Sequence, residues 1–358
     1  MAVDAGVASG QPLAPYTTLR LGGPADRLVV ARTVPEIVQA VRSTDGPLLL
    51  LAGGSNVVIA DQGFPGTTIL VRTTGIAEAA GPANDAGTAR VEWTVAAGEP
   101  WDGVCAAAAG AGLSGIECLS GIPGSTGATP VQNVGAYGQD VAETISTVRV
   151  LDRERNEIVV LPAEECGFTY RDSMFKRNTR YVILSVQFAL TRSPLSVPIR
   201  YAELARTLGV EPGERAPLAA TREAVLTLRA RKGMVSDASD PDTWSVGSFF
   251  TNPVLDVAAM RQLRARASEC GEPPAWPGQA GTVKTSAAWL IERAGFTRGY
   301  AGAHRTVALS GKHTLALTHR GGGTTEELLA LARDVRGGVA DRFGVTLRPE
   351  PVLVGCGL

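Results

Sequence analysis

The chain has 358 residues, more than one ordinary core organises, so two or three domains are expected. Its 34 basic and 35 acidic residues leave a formal net charge of −1, which argues against a nucleic-acid or membrane-surface protein. With 44% hydrophobic residues, no apolar run of bilayer-spanning length and no signal-peptide pattern at the N-terminus, a globular protein of the cytoplasm is expected.

Residues 1–14 read as a flexible tail. LRLGGPADRLVVA at 19–31 reads as strand, turn, strand. Thr33, ahead of Pro35 and Glu36, is an N-cap that predicts a helix over about 35–44 burying Ile37, Val38 and Val41. PLLLLAGGSNVVIA at 47–60 predicts a buried strand opening into the turn Gly53-Gly54-Ser55-Asn56. Small residues at a strand end leave backbone N–H groups available to a phosphate or ribose. Two or three strands are expected over 67–97, with 79–88 as a hairpin tip, then a helix from about Trp101 to Ala111. GAGLSG at 110–115 matches GxGxxG but follows a helix instead of a strand, so it is no dinucleotide fingerprint and Gly112 belongs to a helix C-cap.

GIPGSTGATPVQNVGAYG at 121–138 has neither a helical nor an alternating period. Glycines there let main chain approach a ligand, and turns of exposed N–H groups bind anions. The stretch reads as the cradle of a dinucleotide-type cofactor, or equally as a glycine-rich surface loop. Strands are expected over 144–160 and 181–190, with an aromatic and charged turn at 166–176 between them. A loose connector at 199–220 begins near Tyr201, and Thr221 caps a helix reaching about Lys232. Helices are expected at 255–269, 286–296 and about 325–343, with strands near 305–309 and 314–318. The final strand, VTLRPEPVLVG, can return to either half.

The architecture is α+β. Residues 15–230 form a cofactor-sized region: a first lobe at 15–70, a second at 71–190, and a connector at 191–230. Residues 231–345 form a second unit, and 346–358 carry the last strand. Five dispersed cysteines (Cys105, Cys118, Cys166, Cys270 and Cys356) point to free thiols. The three histidines, His304, His313 and His319, lie beside no acidic cluster, so no metal site is expected.

Taken together, GGSNVVIA (53–60), the loop at 121–138, CGFTYRDSMFK (166–176), VGSFFTNPV (246–254) and LRPEPVLVG (347–355) resemble one family in its order of motifs. It is the UDP-N-acetylenolpyruvoylglucosamine reductases, or UDP-N-acetylmuramate dehydrogenases, flavoenzymes of bacterial peptidoglycan synthesis. The resemblance runs from about Leu19 to Gly355. It implies a two-lobed FAD-binding domain of the vanillyl-alcohol-oxidase/p-cresol-methylhydroxylase type and a C-terminal α+β substrate domain. It also implies a monomer using FAD and NADPH, with the UDP-linked enolpyruvyl sugar as substrate. The segment PIRYAEL resembles the longer form of the family, in which a Tyr here, Tyr201, folds over the uridine nucleotide. The implied cofactor contacts are Gly53, Gly54, Ser55, Asn56, Gly121, Gly124, Ser125, Thr126, Asn133 and Gly135.

The implied chemistry is hydride delivery to an alkene beside a carboxylate, followed by protonation of the neighbouring carbon. Such a step requires fixed positive charge and hydrogen-bond donors on the carboxylate, and a proton donor at the carbon. Arg171 matches the family's arginine, whose planar fork can grip a carboxylate. Glu350 matches its glutamate; apolar neighbours Pro349, Pro351, Val352 and Leu353 are expected to keep it protonated as a donor. Ser248 matches its proton donor. Tyr170, Lys232 and Asn252 are further substrate contacts, while Thr251 departs from the family's usual basic residue. The alternatives are another FAD-dependent alcohol or sugar oxidase or dehydrogenase of the same fold, and a nucleotide-binding module without catalysis. No His precedes residue 304, which excludes covalent flavin attachment through His in the first half.

Overall fold

Thr33 accepts a hydrogen bond from the Glu36 N–H, and the helix Val34–Arg42 runs from that cap with Ile37, Val38, Ala40 and Val41 buried. The structure is a computed structural model that describes residues 7–82 and 89–358. Most of the hairpin tip expected at 79–88 therefore lies outside the described residues, between strands Ile76–Gly81 and Arg90–Ala96. The chain divides into two units.

The first unit comprises 7–11 of the described chain, Ala25–Gly53 and Pro65–Val235. In one of its sheets Leu48–Leu51 pairs in parallel with Phe64–Val71, which also neighbours Pro24–Ala31. A second, antiparallel sheet runs in the order Glu157–Pro162, Ile145–Asp152, Tyr181–Arg192, Arg90–Ala96, Ile76–Gly81. Alternation shows in Arg90–Ala96, where Val91, Trp93 and Val95 are buried and join one core with Trp101 and Phe188. Gly112, at φ +68°, follows Ala111, the C-cap of the helix Trp101–Gly110, which bears out the rejection of GAGLSG as a phosphate fingerprint.

The second unit comprises Pro12–Pro24, Gly54–Phe64 and Ser236–Leu358. Its core packs Leu19, Leu21 and Val58 with Phe249, Phe250 and the apolar face of the helix Thr325–Phe343. That helix starts from a capping box between Thr324 and Glu327. Asp61 reinforces the start by accepting the N–H groups of Thr325 and Glu326 at 2.8 and 3.0 Å.

Several expectations need correction. Residues 7–14 are not a loose tail: Val7–Ala8 pairs with Leu28 and Val29, and Leu13 is fully buried. Residues 19–21 form no strand; only Pro24–Ala31 does, although Leu19 and Leu21 are core residues. The run at 47–60 breaks into Leu48–Leu51 and Val57–Ile59, which join different sheets. The first lobe drawn over 15–70 is thus shared between both units. The connector holds a helix, Ala202–Leu208. Thr221 is no cap: the following helix runs Leu218–Arg231, and the buried Thr221 hydroxyl donates back to the Pro217 carbonyl at 3.0 Å. The last strand is short, Val352–Val354, and pairs in parallel with Val57–Ile59. All five cysteines are free thiols. Among the described residues no helix is long and apolar enough to cross a membrane.

Candidate active site

The loop at 121–138 is held from beneath by the first unit. Gly121 has φ +72° and donates its N–H to Asp102 Oδ1 at 2.6 Å. A Cβ there would come within 2.8 Å of Leu226 Cδ2, so the helix Leu218–Arg231 backs the loop closely. The Asp102 carboxylate also receives both terminal nitrogens of Arg222, at 2.6 and 3.0 Å. Burial pushes Asp102 up, but the hydrogen bonds from Arg222 and Gly121 outweigh it and leave the carboxyl below its usual range. Downstream, Trp101 donates to the Gly124 carbonyl at 3.1 Å, and Thr126 donates backbone and side chain to the Glu99 carbonyl at 2.9 and 3.1 Å.

The turn singled out at 53–56 meets this loop through its first residue. A Cβ on Gly53 would lie 2.4 Å from the Gly124 Cα, so the two backbones touch where glycine alone fits. Beside Gly124, the Ser125 hydroxyl is buried without a hydrogen-bond partner. A buried orphan hydroxyl is costly unless a ligand satisfies it. Close backbone approach and an orphan donor in a glycine loop fit a bound dinucleotide cofactor. Not every candidate points outward, however. Asn133 donates to the Thr169 carbonyl at 3.0 Å and accepts the Ala142 N–H at 3.1 Å, so its amide holds the loop together.

Arg171 sits at the tip of a two-residue hairpin in which Thr169 and Asp172 exchange backbone hydrogen bonds at 3.0 and 3.3 Å. Its φ is +56°, at the position where a type II turn requires positive φ. For an arginine that is a strained conformation, of the kind that clusters at functional sites. Its guanidinium donates to the carbonyls of Asn133, at 3.2 Å, and Gly135, and lies 3.4 Å from Asp140. The fork therefore reads the loop at 133–140, a role the sequence reading did not include. Tyr170, 42% exposed, has its ring beside the Arg171 guanidinium.

A third cluster in this unit gathers Tyr201 and Lys232. Tyr201 stands at the N-cap position of the helix Ala202–Leu208, without a side-chain cap bond, and packs edge-on against Tyr137, ring centroids 5.5 Å apart. Lys232 Nζ pairs with Glu203 on that helix at 2.6 Å. Burial pushes the Tyr137 hydroxyl up to about 12.

In the second unit, backbone pairing joins the segments that carry Ser248 and Glu350. Strand Ser245–Ser248 lies against Ala316–His319 with an irregularity before Ser248, which lies opposite Ala316. Such irregularities re-aim a side chain at a site. The chain continues through the buried Phe249 and Phe250, and Glu350 donates its N–H to the Phe249 carbonyl at 2.9 Å. Val352 then donates to the Asn56 carbonyl at 3.0 Å. Val352 is 37% exposed, so the apolar cover expected around Glu350 is incomplete. Asn252 accepts the Ala287 N–H at 3.0 Å and so anchors the helix Ala287–Arg293. His313, which sequence reasoning set aside, places Nε2 3.5 Å from the Ser248 hydroxyl. Among the described residues no group of three or more His, Cys, Asp or Glu is placed to hold a metal ion.

Comparison with known proteins adds to this geometry. Residues 26–161 match the family model described as FAD binding domain, and residues 240–354 the one described as UDP-N-acetylenolpyruvoylglucosamine reductase, C-terminal domain. A protein of that name from Salinispora arenicola is 60% identical over 97% of this chain and 95% of its own length. Others from Streptomyces avermitilis and Thermobifida fusca are 54% identical, each over 96% of this chain and 94% and 97% of their own. The chain belongs to the UDP-N-acetylenolpyruvoylglucosamine reductase family.

A solved structure of the family's Thermus caldophilus member shares the fold, with a TM-score of 0.63 at 23% identity over 98% of both chains. Family membership makes this chain an FAD-containing oxidoreductase of peptidoglycan precursor synthesis, with an FAD-binding region and a C-terminal α+β domain. The Gly53 turn and the 121–138 loop fall inside the FAD-binding match, and Ser248, Asn252 and Glu350 inside the C-terminal one. Arg171, Tyr201 and Lys232 lie between the two. Sequence reasoning missed Asp102, Arg222, Glu203 and His313, because each acts on a partner distant in the chain and carries no local motif.

Proposed function

We propose that this chain reduces the enolpyruvyl ether of UDP-N-acetylglucosamine to UDP-N-acetylmuramate with NADPH as reductant. Bound FAD supplies the hydride chemistry between NADPH and the alkene. The protein's residues supply charge, donors and a proton. Arg171, its guanidinium already oriented by loop carbonyls, stabilises the negative charge that develops at the substrate carboxylate. Glu350 donates a second hydrogen bond there when protonated. Ser248 gives its hydroxyl proton to the carbon next to the carboxylate. Lys232 answers the diphosphate and Tyr201 the uridine, while the 121–138 loop and Gly53 take the FAD. The soluble, charged substrates suit a cytoplasmic enzyme.

The observation that supports this reading is the backbone hydrogen bond from Glu350 to the Phe249 carbonyl, which ties the Glu350 main chain to the residue after Ser248. The test separates the half-reactions. In Ser248→Ala, NADPH still bleaches the flavin, while reoxidation by the enolpyruvyl substrate slows by about 10²–10⁴-fold. Wild-type reoxidation in that variant rejects the role of Ser248.

A further inference from the structure

We propose that His313 returns the proton to Ser248, as a positioning and relay residue acting through the serine. The inference rests on the reading of Ser248 as the proton donor. A serine hydroxyl is a weak acid, so its proton passes to carbon readily only if a second proton reaches the oxygen as the first leaves. Histidine is the side chain whose ordinary pKa suits that task near neutrality. His313 Nε2 lies 3.5 Å from Ser248 Oγ, a long contact of the kind that tightens when substrate binds.

The surrounding backbone fixes this approach. His313 sits in the connection at 310–315 between strands Val307–Leu309 and Ala316–His319. Ser310, fully buried, accepts the N–H groups of Lys312 and His313 at 3.0 and 3.2 Å. Ala316 donates to the His313 carbonyl at 3.0 Å and Phe249 to the Leu315 carbonyl at 2.7 Å, so the turn is tied to the residue after Ser248. Both His313 and Ser248 are half-buried, which leaves the imidazole a route to solvent protons.

The proton balance is complete. The electron pair on the substrate carbon takes the Ser248 proton, forming C–H and breaking O–H. As that O–H bond breaks, the serine oxygen takes the Nε2 proton of the His313 imidazolium, so no free alkoxide forms. The resulting neutral imidazole regains a proton from water, so the added proton comes from solvent.

The experiment uses FAD-loaded enzyme, photoreduced and then mixed rapidly with UDP-N-acetylglucosamine enolpyruvate. Flavin reoxidation is followed with and without added imidazole. Wild-type enzyme is expected to be indifferent to imidazole, because His313 already supplies the second proton. His313→Gln, which can hydrogen-bond but not relay, and His313→Ala are each expected to reoxidise at least ~10-fold more slowly, and imidazole to restore much of the rate in His313→Ala. A His313→Ala rate that imidazole leaves unchanged overturns the relay, and so does His313→Gln reoxidising within about twofold of wild type. Ser248→Ala at wild-type rate instead rejects the donor assignment, which separates that failure from this one.

Discussion

Glu350 is placed by its backbone: its N–H bonds to the Phe249 carbonyl at 2.9 Å, one residue beyond Ser248. The flanking Thr251 N–H donates to the Arg348 carbonyl at 3.1 Å, and the Val352 N–H to that of Asn56 at 3.0 Å. Main chain fixes the position of the segment, so replacing the Glu350 side chain should leave it anchored.

That arrangement sets an expectation for two substitutions. Glu350→Ala removes the donor and should slow turnover by about 10²–10³-fold, the size of effect seen when one donor to a developing oxyanion is lost. Glu350→Gln keeps a donor of similar reach and should retain activity within about tenfold of wild type, with unchanged circular dichroism. A glutamine variant as inactive as the alanine variant means that the carboxyl is needed for more than donation.

The contact between Gly53 and Gly124 makes a steric prediction. A methyl at Gly53 strikes the Gly124 Cα at 2.4 Å, and backbone on both sides leaves it no room. Gly53→Ala should therefore displace the cofactor loop and purify with little flavin. Gly103 is the control, since a Cβ there meets only Pro100 Cβ, at 4.0 Å, within the helix Trp101–Gly110. Gly103→Ala should keep its flavin and gain about 0.5–1 kcal/mol, a rise in Tm of a few degrees. Flavin-to-protein absorbance ratios decide it: equal ratios in the two variants reject the steric account.

Features encoded locally were legible in the sequence. The Thr33 cap, the helix Thr325–Phe343 with its capping box, and the long strand Tyr181–Arg192 each carry their signal within a few residues. The glycine loop was legible as a loop because nothing in it repeats. What escaped is non-local. The 57–59 segment pairs with 352–354, and Asp61 caps a helix 264 residues away, so the first 70 residues divide in a way no window shows. The helix Ala202–Leu208 has seven residues, too few for its period to stand out from a connector. His313 reaches Ser248 across a strand pair, 65 positions along the chain.

The Asp102–Arg222 pair beneath the cofactor loop carries a pH dependence with a definite sign. Asp102 lies below its ordinary range because the Arg222 and Gly121 hydrogen bonds outweigh burial. A carboxyl depressed in the folded state adds stability above its unfolded pKa and loses it as pH falls through the folded one. Wild-type enzyme should therefore hold its flavin at neutral and mildly acidic pH, and lose this support only in strong acid. Arg222→Ala removes the main lowering partner and leaves burial to push Asp102 up, so the carboxyl takes its proton at higher pH. The Gly121 N–H then loses a charged acceptor 2.6 Å away. Fluorescence of released flavin, followed during acid titration, should rise at higher pH in Arg222→Ala than in wild type. Superimposable release curves would mean that the Asp102 carboxylate does not hold the loop.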